Sequence, residues 1–202
     1  PWECPAAFML IPYIEHAYGI YHPIGGLSEI SEAMAKVAKE NGAKINLKKP
    51  VKELILEGKD VKGILLQSGE KIYADEVIIN ADFGYAANNL FPKGYLKKYT
   101  EKKLEKKEFS CSTFMIYLGL DKIYDLPHHT IFFSKDYESY VKKVFKSKDE
   151  LDDISIYVRN ASISDKTLAP KGKSGLYILV PVQNNRAGLD WDKIKSQFRE
   201  KV

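Results

Sequence analysis

"YGIYHPIGGLSEISEAM", residues 18–34, sets two adjacent glycines between an aromatic segment and a run of good helix formers. The aromatic residues predict a strand that turns at the glycines into a helix. From Gly25 to Asn41 the apolar residues Leu27, Ile30, Met34, Val37 and Ala38 recur at steps of three and four, the stripe of a helix with one buried face. Asn41-Gly42 ends it, glycine being the usual residue just past a helix end. Gly25 and Gly26 admit two readings. In one they make a tight turn, because glycine reaches backbone angles that other residues resist. In the other their missing side chains let a ligand press against exposed N–H groups at the positive end of the helix.

Downstream, "AKINL" at 43–47 reads as a short strand. Residues 51–57, 61–66, 70–73 and 76–79 then predict a β-meander with turns at Gly-Lys-Asp and Ser-Gly-Glu. "EVIIN" at 76–80 is an uninterrupted apolar run, which predicts a strand covered on both faces in a sheet flanked by helices. Residues 94–108, "GYLKKYTEKKLEKKE", predict a charged helix and the change from one domain to the next. Beyond it the pattern gives strands at 110–120 and 130–133, a helix at 136–147, strands at 153–160 and 175–182, and a last helix opening at 190. The class is α+β or mixed α/β, in two domains at 1–93 and 94–202, with 1–17 a candidate part of the second.

The totals narrow the function classes. Of 202 residues, 45% are hydrophobic and 29% charged, an ordinary globular composition. No run approaches the roughly 20 apolar residues of a membrane span. A net charge of +4 is too mild to argue for nucleic acid, and none is expected as a partner. Cys4 and Cys111 form no CxxC or Cys/His cluster, so neither a disulfide framework nor structural zinc is expected, and a reducing cytoplasm fits. The start at Pro1 and the half-begun helix "WDKIKSQFREKV" predict a piece of a longer chain.

An aromatic strand, P-x-G-G, an amphipathic helix, "NGAKI", "PV", a meander and a strand ending in "NAD" follow one another over about 65 residues, counted on the sequence. That order resembles the FAD-dependent amine oxidase superfamily. "LPHHTIFFSKDYE" at 126–138, "DDISIYVRNASISDKTLAPKGKSGLYILVPVQN" at 152–184 and "LDW" at 189–191 narrow the resemblance to bacterial-type phytoene and diapophytoene desaturases. The resemblance implies FAD beside Gly25, Gly26, Val51, Asn80, Ala81 and Asp82. It also implies a lipophilic polyisoprenoid enclosed by the second half, near Tyr21, His22, Phe114, Tyr117, His128, His129 and Phe132. The chain departs from the family in carrying no GxGxxG, the phosphate-binding device of this fold, so the fragment alone is expected to hold little flavin. Two relatives of the same scaffold stay open as alternatives, the carotenoid isomerases with the retinol saturases, and the non-catalytic Rab GDP-dissociation inhibitors.

The remaining chemistry-bearing residues each have a structural reading. His128-His129 is no metal site, since neighbours on a strand point to opposite faces. Glu15 and His16, in an unplaced loop, are candidate proton carriers. Phe114, Ile116, Tyr117 and Leu118 with Ile131, Phe132, Phe133 and "YILVPV" at 177–182 read as core strands or as the lining of an apolar channel. Lys97, Lys98, Lys102, Lys103, Lys106 and Lys107 alternate with Glu101, Glu105 and Glu108 as on a solvated helix face. They would also suit peripheral contact with the inner face of a cell membrane, where a lipid-soluble substrate resides.

Overall fold

The computed structural model describes residues 5–202, so Cys4 lies outside the described residues. In chain order the elements are helices α1 (Leu10–Tyr18) and α2 (Ser28–Glu40), strands β1 (Val51–Glu57), β2 (Asp60–Leu66) and β3 (Lys71–Tyr73), and helices α3 (Phe83–Asn89) and α4 (Glu101–Leu104). Strands β4 (Ser112–Leu120) and β5 (His129–Phe132), helix α5 (Tyr137–Lys146), strands β6 (Ile156–Arg159) and β7 (Ser174–Val182) and helix α6 (Trp191–Lys201) follow. Two compact units result, one of Ala38–Glu108 and the other of the segment ending at Val37 with Phe109–Val202.

The Ala38–Glu108 unit is built on the predicted meander. β1, β2 and β3 pair in order, all antiparallel, with a bulge in β1 between Val51 and Glu53 and another in β2 opposite Ile55 and Leu56. Alternation sends Leu54 inward to meet Ala86 and Leu90, with Val51, Leu56, Val61, Ile64, Val77 and Ile79 around them. Each fully buried leucine stabilises by about 1.5–3 kcal/mol. Asp82 caps α3 by accepting a hydrogen bond from the Tyr85 N–H at 2.7 Å, which fixes where the chain leaves the extended segment.

The other unit carries a four-stranded antiparallel sheet in the order β4-β7-β6-β5. One face is covered by α5 and α6, whose Tyr140, Val144 and Phe198 pack on Val180, Val182, Phe114, Ile156 and Ile178. Half-buried Cys111 joins this core. The loop entering β5 is held by Asn160, wholly buried, whose side-chain amide donates to the carbonyls of Tyr124 at 3.0 Å and Leu126 at 2.9 Å.

Several predicted elements differ. Residues 43–47 and 76–79 join no ladder among the described residues, and neither do residues 19–23 before the glycines. A strand needs partners for its N–H and C=O groups, and the meander strands pair with one another instead. Val77 and Ile79 turn inward, whereas Ile78 is 93% exposed where burial on both faces was predicted. The charged 94–108 stretch is helical only over Glu101–Leu104, the turn that buries Leu104; helices this short depend on such packing. Glu15 and His16, expected in a loop, lie on the helix α1, whose residues Leu10, Ile11, Tyr13 and Ile14, like Phe8 and Met9 before it, are exposed.

Candidate functional site

The sheet of the second unit has an uncovered face. Direct cross-strand partners share a face, so the registers put Met115 and Tyr117 of β4, Tyr177 and Leu179 of β7, Tyr157 and Arg159 of β6, and His129 and Ile131 of β5 together, opposite the core. Most of these side chains are apolar or aromatic, and Tyr117 is 74% exposed. A flat apolar surface of this kind suits a hydrocarbon, whose affinity comes from area removed from water, about 25 cal/mol per Å².

Six rings form a continuous row along this face. Tyr117 meets Tyr177 at 5.9 Å, Tyr177 meets Tyr157 at 5.8 Å, and Tyr157 stacks on His129 at 5.9 Å. His129 stacks on His128 at 4.4 Å, and His128 meets His22 edge-on at 5.1 Å. Arg159 lies 5.5 Å above the Tyr177 ring. Burial beside Tyr177 pushes the Tyr157 phenol up to about 12, so it stays protonated and bonds the His129 Nδ1 at 2.5 Å.

The hydrogen bonds assign the His22 tautomer at the head of the row. A guanidinium only donates, so His22 Nδ1 accepts from Arg159 at 3.1 Å, and His22 Nε2 therefore carries the hydrogen it gives to Asp165 at 2.9 Å. The His128 Nδ1 is hydrogen-bonded to the Ser164 hydroxyl at 2.5 Å, and that hydroxyl also lies 3.2 Å from the Ala161 carbonyl. His128 Nε2 is buried and has no hydrogen-bond partner among the described residues. Burial first, then His129, Arg159 and His22, hold His128 below the ordinary histidine range, with Asp165 opposing.

The same carboxylate explains the glycines. Gly25 donates its N–H to Asp165 at 2.8 Å, and Gly26 donates to the Pro23 carbonyl at 2.9 Å. Both glycines adopt left-handed φ, +92° and +94°, which a side chain would strain. Leu168 packs below Gly26 at 3.5 Å from where a Cβ would stand. The turn reading therefore accounts for the pair, and neither N–H is open to a ligand.

Among the residues expected to meet substrate, His22, His128, His129 and Tyr117 come together in the ring row. Tyr21 is 84% exposed beside Gly19. Phe114 sits under the sheet, stacked at 5.8 Å on Trp191, and Phe132 shares the register of Ile156 on the core side. Tyr177 belongs to the 177–182 run expected as core strand or channel lining, whereas Asp165, Arg159 and Tyr157 carry no role in the sequence pattern. A D-x-T step, in which Asp165 accepts from the Thr167 N–H and hydroxyl, was the available signal for the first of these.

Of the expected cofactor residues, Val51, Asn80, Ala81 and Asp82 lie in the meander unit, with Val51 half-buried at the start of β1. Asp82 is engaged as a helix cap, and the glycine N–H groups are engaged by Asp165 and Pro23. With the Gly25 and Gly26 N–H groups already bonded, these residues supply no cradle for the pyrophosphate of FAD.

A family model described as flavin containing amine oxidoreductase matches residues 4–113. A 4,4'-diapophytoene desaturase (4,4'-diapolycopene-forming) from Methylomonas is 56% identical over 202 residues, all of this chain and 40% of that protein. An all-trans-zeta-carotene desaturase from Myxococcus xanthus is 37% identical, again over all of this chain and 39% of that protein. The chain thus spans about two fifths of the length of these curated relatives. The crystal structure of an oxidoreductase from Methanosarcina mazei superposes with a TM-score of 0.66 over 96% of this chain and 41% of that one, at 21% identity, and so shares the fold. With the family model covering more than half of its residues, this chain belongs to the flavin-containing amine oxidoreductases.

Proposed function

We propose that this chain is the central part of an FAD-dependent carotenoid desaturase, which introduces conjugated double bonds into a linear C30 or C40 isoprenoid such as dehydrosqualene or phytoene. The observation that carries the reading is 56% identity along all 202 residues to a diapophytoene desaturase, and the relatives described above are desaturases rather than isomerases or prenyl carriers. The uncovered aromatic face supports it, because a long hydrocarbon requires extended apolar area and few polar anchors.

In the whole protein, as the family resemblance implies, Gly25, Gly26, Val51, Asn80, Ala81 and Asp82 border FAD. Bound FAD supplies the acceptor for a hydride from one carbon of a C–C bond, while a proton leaves the neighbouring carbon and the C=C bond forms. This chain's own residues bind and orient. Tyr117, Tyr157, Tyr177 and His129 form the bed, with His22, His128 and Tyr21 at its head and Phe132 at the end of β5, while Phe114 supports the sheet from the core side. Water is excluded by the apolar face, which protects the reacting carbons.

The substrate is drawn from a bilayer, which favours a cytoplasmic enzyme lying peripherally on the inner face of the membrane through its basic 97–107 segment. Among the described residues, no helix is long and apolar enough to cross a membrane.

The test is expression of the whole gene with dehydrosqualene or phytoene. A yellow protein with flavin absorbance and a pigment absorbing in the visible are expected. A colourless protein, or one that leaves the substrate unconjugated, defeats the reading.

A further inference from the structure

Asp165 is 1% exposed, yet its carboxylate is fully engaged by donors from three residues. Oδ1 accepts from the Thr167 N–H at 3.0 Å and the Thr167 hydroxyl at 2.6 Å. Oδ2 accepts from His22 Nε2 at 2.9 Å and from the Gly25 N–H at 2.8 Å. The Thr167 bonds are local and lock the carboxylate's orientation. The other two reach across more than 130 residues of sequence and tie Asp165 to His22 and the glycine turn. Arg159 closes the arrangement from the other side of the imidazole, so His22 cannot rotate without breaking a bond at one nitrogen or the other.

This carboxylate links the two features that the proposed reaction needs in register, the glycine turn and the head of the ring row. We propose that Asp165 is a positioning residue, whose carboxylate holds the Gly25 amide and the His22 imidazole in one fixed relation at the reacting end of the hydrocarbon. The assignment rests on the desaturase reading above. Asp165 itself contacts neither substrate nor flavin; it acts through the turn and through His22. Hydride transfer is steep in distance, and a displacement of about 1 Å costs up to roughly a hundredfold in rate.

The experiment uses the whole protein purified with its flavin, mixed anaerobically with dehydrosqualene in liposomes, reading the single-turnover rate of flavin reduction. Asp165→Asn keeps shape but replaces one acceptor oxygen by a donor. It is expected to retain flavin and to slow reduction roughly ten- to hundredfold, with the half-saturating substrate concentration unchanged. Tyr140→Phe, a core change under the opposite face of the sheet, serves as the stability-matched control and is expected to stay within about twofold of the parent. Should Asp165→Asn fail to fold, His22 supplies the second arm. His22→Phe keeps a ring but donates nothing and is expected to be slow, whereas His22→Gln restores a donor toward Asp165 and most of the rate.

Asp165→Asn reducing its flavin at the parent rate, or slowing no more than Tyr140→Phe at an equal loss of melting temperature, overturns the assignment. Equal rates for His22→Phe and His22→Gln overturn it as well. A parent protein that makes pigment beside indifferent variants sinks the positioning role alone, whereas a parent without flavin or pigment sinks the desaturase reading and this assignment together.

Discussion

Gly25 donates its backbone N–H to the carboxylate of Asp165, 140 residues away in sequence, at 2.8 Å. That bond turns a helix-opening glycine pair into one side of a buried junction, the other side being the Asp165–Leu168 turn that packs under Gly26. Its consequences for stability are open to measurement apart from catalysis.

Asp165 is held well below the usual carboxylate range, first by the Thr167 hydroxyl and then by His22, with the Gly25 and Thr167 N–H groups adding to it and burial opposing. A depressed folded-state value means that the unfolded chain binds the proton first as pH falls. The contribution is therefore complete above the ordinary aspartate value of about 4 and is lost as pH drops below it toward the folded value. Urea denaturation between roughly pH 2 and 6 should show stability falling more steeply with acid in the parent than in Asp165→Asn. Parallel slopes would contradict the bonding described.

Gly63 lies where β2 and β3 approach most closely. A Cβ there would stand 2.1 Å from the Ile72 carbonyl oxygen and 2.8 Å from Tyr73 Cα, both backbone atoms of the paired strand. Gly63→Ala must therefore push β3 away, at a cost of at least about 2 kcal/mol, since overpacking against backbone has no cheap relief. A shift in urea midpoint corresponding to under 0.5 kcal/mol would refute the close approach.

Asn160→Ala removes two donors from the carbonyls of Tyr124 and Leu126 and the acceptor of the Ser162 hydroxyl. Stranding buried polar groups costs about 1–3 kcal/mol each, so a loss above 2 kcal/mol is expected, with the 121–128 loop becoming the first site of proteolysis. An unchanged melting temperature would contradict the wholly buried position.

Tyr117 offers a test of the uncovered face. Its exposure means that Tyr117→Ala should change stability by less than about 0.5 kcal/mol. In the whole protein the same substitution should raise the half-saturating concentration of dehydrosqualene several-fold, because a tyrosine ring removed from the bed takes with it apolar contact area. Unchanged half-saturation would remove Tyr117 from the substrate surface.

Local pattern was enough to read much of this molecule from its residues. The stripe Leu27–Ala38 gives the helix α2, though Leu27, Ile30, Met34 and Val37 stand exposed where a buried face was expected, the Gly-Lys-Asp and Ser-Gly-Glu turns give the meander, and alternation gives β4 and β7, because each signal arises from a few consecutive residues and their own backbone preferences. The motif order likewise pointed to the flavin-containing family. Ladder membership was not legible: "AKINL" and "EVIIN" have the apolar content of strands, but pairing depends on a distant partner that no local pattern names. Nor was the division of the aromatic residues, since Phe114 and Tyr117 differ by an odd step on one strand and only the register with β7, and the helices packed beneath, decide which faces the core.

The sequence by itself determined that two glycines bend the chain into a helix, since left-handed φ is a property of the residue. Only tertiary structure decided that Asp165 takes the Gly25 amide and that His22 heads a row of rings, because hydrogen bonds between residues 140 apart form from folding geometry and leave no trace in either neighbourhood.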